Sequence, residues 1–299
     1  MSEHSPPRAP VPRIIDRADA LRKEFERERA AGRTVGLVPT MGALHPGHAA
    51  LIRRSASECD TTAVTVFVNP LQFGVGEDLA RYPRDLAADL EVAAEAGATL
   101  VFGPPDDEMF PGGRSATTVS VAGLGDGLEG ASRPGHFDGV ATVVARLFNL
   151  AGPCRAYFGE KDFQQLAVVR RMVADLAVPV VVVGCRTVRD RDGVAWSSRN
   201  RYLSTTERRA ATVLLRALEA GVAALDGRRE RTIGGADVRR AMADVVAAEP
   251  LARLDYAEVV DPDGLVPLDS IGPGSEVRLV LAAWIGATRL IDNRGVTAP

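Results

Sequence analysis

His45 and His48 stand three residues apart with Pro46 and Gly47 between them, soon after Pro39-Thr40-Met41-Gly42. A continuous apolar run, Thr34 to Val38, precedes the motif, and a helical pattern through Leu51 and Ile52 follows it. The spacing predicts a buried strand that ends in glycines and histidines at a helix N-terminus. The first N–H groups of a helix lack internal partners and carry the positive end of its dipole, so such a place binds anions. Proline suits the first turn because its missing N–H is not needed there. Histidines at i and i+3 share one face of that turn. Phosphate oxygens are the natural guests. The competing reading is a turn in which both histidines merely cap or fill space. The chain has four histidines, and one, His4, belongs to the N-terminal tail. Two of the other three in a single turn favours chemistry.

Three further segments carry side chains suited to a ligand. Asn69-Pro70-Leu71-Gln72-Phe73 ends a second apolar run. Gln72 offers a donor and an acceptor, which suits a neutral or hydroxylated group; Asn69-Pro70 is equally an ordinary turn. Gly159-Glu160-Lys161-Asp162-Phe163-Gln164-Gln165 ends another run. Lys161 is a compact positive charge at a helix start, where the dipole repels it, so an anion there would compensate. A solvated lysine beside an Asp162 N-cap is the alternative. Gln165 would face the ligand if Gly159 lets the chain approach closely. Trp196-Ser197-Ser198-Arg199-Asn200-Arg201 offers two hydroxyls and a guanidinium on a loop able to close over a polyphosphate, or a plain surface loop. Gly125, Gly127 and Gly130 satisfy GxGxxG, but Ala131-Ser132-Arg133-Pro134-Gly135 cannot open a long helix. That stretch reads as a turn-rich loop rather than a dinucleotide fingerprint, although Arg133 and His136 could still reach a ligand.

The elements that must position these groups alternate. Strand candidates are Thr34–Val38, Thr62–Val68, Thr99–Phe102, Ala156–Phe158 and Val180–Gly184, several of them continuously apolar, as strands buried on both faces must be. Helical patterns at Leu51–Glu58, Asp85–Ala96, Val140–Leu150 and Gln164–Leu176 fall between them. This is the pattern of an α/β, Rossmann-like, doubly wound parallel sheet, which binds ligands at the carboxyl ends of its strands. After Cys185 the texture changes. Arg186–Asp192 is charged and hinge-like. Helical segments at Thr206–Ala224 and Ile233–Ala247 and strand runs at Asp255–Val260, Val277–Ala283 and Thr288–Asp292 predict a smaller α+β domain. The expected division is a disordered tail over 1–12, a first domain over 13–186 and a C-terminal lid domain over 187–299.

Composition excludes several classes. With 299 residues, a formal net charge of −3 and no basic excess, nothing argues for a nucleic-acid surface. The longest apolar stretches fall short of a membrane span, and residues 1–12 are Pro-rich and polar, without the apolar core of a signal peptide. Cys59, Cys154 and Cys185 form no CxxC pair and read as reduced thiols in a cytoplasmic protein. His45, His48 and His136 could in principle hold zinc, which is the competing non-catalytic reading. Another nucleotidyltransferase with the HxGH motif is the competing enzyme. A phosphorylated substrate, though, would call for more Arg or Lys than Gln72 and Gln165 provide.

Taken together in chain order, from about residue 13 to 293, these motifs resemble those of the pantoate–β-alanine ligases, the pantothenate synthetases. The stretches carrying the resemblance are Pro39 to His48, Phe67 to Phe73, Gly159 to Asp162, Gln164-Gln165 and Ser197 to Leu203. The resemblance implies an ATP- and magnesium-dependent enzyme, a homodimer, that forms pantoyl adenylate and pyrophosphate before β-alanine displaces AMP. It implies that Met41, Gly42, Ala43, Leu44, His45, Pro46, Gly47 and His48 line the nucleotide, with Gly159, Glu160, Lys161, Asp162, Val188 and Trp196. His45, His48, Lys161, Ser197, Ser198 and Arg199 would act on the phosphates. Gln72 and Gln165 would hold pantoate, with Gln72 also near β-alanine. The family links an acidic pair to magnesium; this chain keeps Asp89 but has Ala88 beside it, and it has Trp196 where the family usually has Met.

Overall fold

The computed structural model describes residues 11–74, 76–113, 115–226 and 232–299, so the expected tail lies outside the described residues except for its last two. The chain divides into two compact units. The first holds the residues up to Val121, Arg133–Phe158 and Val169–Cys185; the second holds Ala122–Ser132, Gly159–Val168 and everything from Arg186 onward. The principal cut falls after Cys185. Two earlier segments, 122–132 and 159–168, also group with the second unit.

In chain order the first part of the fold runs β1 (Arg13–Ile15), α1 (Ala18–Ala30), β2 (Val35–Val38), α2 (Pro46–Glu58), β3 (Thr61–Thr65), α3 (Leu86–Glu95), β4 (Leu100–Phe102) and α4 (Asp106–Met109). A short helix, α5 (Glu129–Ser132), is followed by α6 (His136–Ala151), β5 (Cys154–Gly159), α7 (Phe163–Asp175) and β6 (Val180–Cys185). Six strands form one sheet in the order β1-β4-β3-β2-β5-β6, with parallel pairing from β1 through β5. Every residue of β2 and β3 is buried, because helices cover both faces of such a sheet. The chain steps outward from β2 to β3 and β4, then returns to place β5 on the other side of β2. That reversal is a topological switch point, the place where open parallel sheets bind ligands. α2 is fixed by Ala49, Leu51 and Ile52, which pack with Val38, Val64, Val101 and Tyr157.

The second unit adds α8 (Thr205–Ala210), α9 (Val213–Asp226), β7 (Ile233–Gly234), α10 (Gly235–Ala247), β8 (Ala252–Val260), β9 (Ser270–Ile271), β10 (Glu276–Ile285) and β11 (Thr288–Thr297). The strands β11-β10-β8 form an antiparallel sheet, and β7 pairs with β9. Leu214, Leu218 and Leu225 of α9 and Val238 and Met242 of α10 share a core with Leu279, Leu281 and Ile285 of β10.

Three features differ from the sequence reading. β1 and α1 were not expected. β1 has three residues, and the apolar stripe of α1 narrows to Leu21 and Phe25 among charges. The single helix expected over Thr206–Ala224 is two, α8 and α9. Thr212 Oγ1 donates to the carbonyl of Arg209 at 2.8 Å, the kind of local side-chain bond that competes with a helix ladder. The hinge-like stretch after Cys185 is a tight hairpin: Arg189 bridges Ala195, and Arg208 binds both Asp190 and Asp192.

Candidate active site

The histidine motif occupies the turn from β2 into α2. His45 is the N-cap of α2, with φ −141° and ψ 172°, and Pro46 takes the first helical position. The Nδ1 of His45 accepts from the N–H of Gly47 at 3.2 Å. A ring nitrogen that accepts carries no proton, so this bond assigns the proton to Nε2 and makes that nitrogen the donor. His48 stacks on His45 with ring centroids 4.0 Å apart and planes inclined by 27°. Both rings are half-buried. The arrangement offers imidazole donors at the positive end of a helix dipole, an anion site of the expected kind.

The loop leading into this turn is pinned by its neighbours. Thr40 Oγ1 donates to the carbonyl of Thr65 at 2.5 Å and accepts from the N–H of Gly42 at 3.1 Å. Gly42 has φ 82°, and a Cβ there would sit 2.8 Å from Asp89 Oδ2 and 3.0 Å from Val66, so only glycine fits. Asp89 is 3% exposed. Its Oδ2 accepts from Ala43 N at 3.1 Å and its Oδ1 from Leu44 N at 2.6 Å. The carboxylate expected near magnesium therefore holds backbone. Ala88 adds no second oxygen, and no group of three His, Cys, Asp or Glu side chains suited to a metal occurs among the described residues. These donors do not fit a protein-held magnesium ion.

Gln72 lies in a short 3-10 turn, Pro70–Gln72, capped by Asn69. Its Oε1 accepts from Asn69 Nδ2 at 3.0 Å, and the same amide donates to the carbonyl of Gly139 at 3.0 Å. The bond fixes the orientation of the Gln72 amide. Arg133 and His136, candidates for ligand contact from sequence, hold this turn instead. His136 Nδ1 lies 2.8 Å from the Gln72 carbonyl and its Nε2 lies 3.0 Å from Arg133 Nη1. A carbonyl only accepts and a guanidinium only donates, so the imidazole is the neutral Nδ1–H tautomer. Arg133 also pairs with Glu77 at 2.6 Å. With His136 placed this way, the three-histidine zinc reading loses a ligand.

The remaining candidates belong to the second unit. Gly159–Asp162 leaves β5 as a turn and runs directly into α7, with the Lys161 side chain 18% exposed and its Nζ 3.4 Å from Asp162. Gln164 donates to the carbonyls of Leu124 and Gly127 at 2.8 and 2.9 Å and accepts from Glu129 N at 3.0 Å. The glycine-rich loop is thus a bracket for the start of α7. Gln165, one residue on, is half-buried. Val188 accepts from the backbone N–H of Trp196 across the hairpin at 3.0 Å. Ser197 caps the 3-10 segment Ser198–Tyr202 by accepting from Arg199 N at 3.3 Å. Sequence reasoning missed the residues of β11 that brace these segments. Asp292 forms a two-pronged pair with Arg189 at 2.5 and 2.9 Å, and Asn293 reaches the carbonyls of Glu160 and Lys161. A buried Asp-Asn pair inside a strand was the available signal, since such residues are buried only when partnered.

The family profile of pantoate–β-alanine ligases matches residues 13–295, a span that includes every one of these side chains. The chain belongs to the pantoate–β-alanine ligase family. It is therefore a ligase enzyme. It is 51% identical over 292 residues to the pantothenate synthetase of Sinorhizobium medicae, covering 96% of this chain and 97% of that one. It is 52% identical over 282 residues to that of Rubrobacter xylanophilus, covering 91% and 94%. The crystal structure of pantothenate synthetase from Thermus thermophilus superposes with a TM-score of 0.86 at 50% identity, covering 94% of this chain and 98% of that one. The pantoate–β-alanine ligase from Francisella tularensis, complexed with β,γ-ATP and β-alanine, gives 0.73 at 31% identity, covering 95% and 97%. Among the described residues no helix is long and apolar enough to cross a membrane.

Proposed function

We propose that the chain condenses pantoate with β-alanine in two steps at the expense of ATP. The observation that carries this reading is His45 capping α2 beneath a stacked His48 at the carboxyl end of β2. In the first step a pantoate carboxylate oxygen attacks the α-phosphorus, and the bond to the bridging oxygen of pyrophosphate breaks. The carboxylate is already ionised near neutral pH, so the step needs no general base. It needs donors where negative charge develops. His45 Nε2–H, His48, Lys161, Ser197, Ser198 and Arg199 are assigned that task. Met41–Gly47, Gly159, Glu160, Asp162, Val188 and Trp196 are assigned to the nucleotide. In the second step the neutral β-alanine amine attacks the acyl carbon, the C–N bond forms as the C–O bond to the phosphate breaks, AMP leaves with that electron pair, and the amine's surplus proton passes to solvent.

Any magnesium the reaction uses would enter with ATP as part of the substrate rather than be held by Asp89, whose carboxylate accepts from two backbone N–H groups. We place the enzyme in the cytoplasm as a homodimer, the assembly and compartment that the family resemblance and the free cysteines support. Labelled pyrophosphate exchanges into ATP when pantoate is present and β-alanine absent. Release of ADP and phosphate in place of AMP and pyrophosphate would rule the mechanism out.

Gln72 and Gln165 are assigned to pantoate, with Gln72 also toward β-alanine. Support comes from the amide of Gln72, whose oxygen is already held by Asn69 so that its N–H groups are the side offered to a ligand. Truncating either glutamine leaves substrate oxygens without a partner, at a cost of roughly 1–3 kcal/mol, about fivefold to 150-fold in affinity. Gln72→Ala and Gln165→Ala accordingly raise the KM for pantoate by that factor and leave the KM for ATP within about threefold. Steady-state kinetics with each substrate varied in turn checks this, and a rise confined to ATP reverses the assignment.

A further inference from the structure

We infer that Asn293 of β11 is a positioning residue for Lys161. This rests on the reading of Lys161 as a phosphate-facing group. Lys161 occupies a three-residue turn, Glu160–Asp162, between the end of β5 and the start of α7. Asn293 is 6% exposed, and its Nδ2 donates to the carbonyls of Glu160 at 2.8 Å and Lys161 at 2.7 Å. Both amide hydrogens are thereby committed to consecutive peptide units on either side of the Lys161 Cα.

The amide itself cannot turn over. Its Oδ1 accepts from Arg278 Nη1 at 3.1 Å, so a flip would set oxygen against two carbonyls and nitrogen against a guanidinium. Arg278 grips the same turn from its flanks. Its guanidinium lies 3.6 Å from the Phe163 ring centroid and 3.8 Å from the Glu160 carboxylate. The strand that carries Asn293 is anchored one residue earlier, where Asp292 pairs with Arg189 and accepts from Asn293 N at 2.8 Å. A side chain more than a hundred residues away in sequence therefore sets the backbone from which Lys161 projects. Catalytic groups must be held to a fraction of an ångström, and a misplacement of about 1 Å can cost a hundredfold in rate.

The test separates positioning from general stability by splitting the reaction. In single-turnover experiments, Asn293→Ala and Asn293→Asp each slow pantoate adenylation by about 10- to 100-fold. Aminolysis of enzyme-bound pantoyl adenylate changes by less than about threefold. Asn293→Asp keeps the shape and the Arg278 contact but turns an oxygen toward the two carbonyls, so it serves even if the alanine variant is insoluble. In a Lys161→Ala background, adding Asn293→Asp slows adenylation by no more than about threefold, because residues acting as a unit are not additive. Equal slowing of both half-reactions, or losses that multiply in the double variant, overturns the inference. Should wild-type enzyme fail to exchange pyrophosphate, the functional reading itself falls. A wild type that exchanges, a Lys161→Ala that does not, and an unimpaired Asn293→Asp remove only the positioning role.

Discussion

Replacing His48 or Lys161 with alanine lowers the rate of adenylate formation by roughly 10²–10⁴, the range associated with loss of a positioned charge stabiliser. The loss appears in pyrophosphate exchange and in single-turnover adenylation. Folding is barely touched. Lys161 gives up an ion pair with the half-exposed Asp162, and such pairs contribute about 0–1 kcal/mol. His48 gives up a stack with His45, while the cap of α2 rests on His45 and survives. Thermal melts within a few degrees of wild type, together with near-complete loss of exchange, are the expected pair of results. Turnover close to wild type in either variant would sink the role assigned to that residue.

Gly139→Ala disables pantoate use without touching a substrate-facing side chain. Gly139 lies in the first turn of α6, where the helix meets the turn bearing Gln72. An added Cβ would stand 2.2 Å from the Leu71 carbonyl oxygen, 2.4 Å from its carbon and 2.6 Å from Gln72 N. All three are backbone atoms, which cannot swing aside as a side-chain tip can. The turn must shift, and Asn69 then loses its hold on both Gly139 and Gln72. Overpacking of this kind costs roughly 1–3 kcal/mol of stability. A displacement near 1 Å lowers kcat/KM for pantoate by about a hundredfold. Substrate-by-substrate kinetics beside denaturant melts checks both parts; a stable variant with unaltered pantoate kinetics contradicts the close-contact account.

The parts legible in the sequence were those where one chemical pattern dominates. Apolar runs announced β2, which is buried throughout, and β6, of which only Val180 and Cys185 are buried; β3 was legible from Ala63 and Val64 among β-branched threonines. Proline and glycine beside paired histidines marked the start of α2 within a residue or two. Supporting contacts were harder to read because they join residues far apart in the chain. Asp89 was tied to magnesium only through the family resemblance, and a carboxylate in a helix gives no sign that two amides from residues 43 and 44 will reach it. Glu28 stands in a run of charges with nothing to single it out. It is buried, and the Arg33 guanidinium with the Thr61 hydroxyl holds its carboxyl down at about 2. Arg133 and His136 invited a ligand role for the same reason: their partners, Glu77 and the Gln72 carbonyl, lie about sixty residues upstream.

The segments 122–132 and 159–168 give the chain an unusual itinerary. It passes between units after Val121, Ser132, Phe158, Val168 and Cys185. A gene cut at the apparent boundary would therefore not release a self-sufficient C-terminal piece. In residues 186–299 alone, Arg289 would lose Glu129, which it now meets at 2.7 and 2.8 Å, and Tyr256 would lose the same carboxylate. Asn293 would face neither Glu160 nor Lys161. Modular shuffling of this half onto another nucleotide-binding scaffold must carry both inserted loops with it.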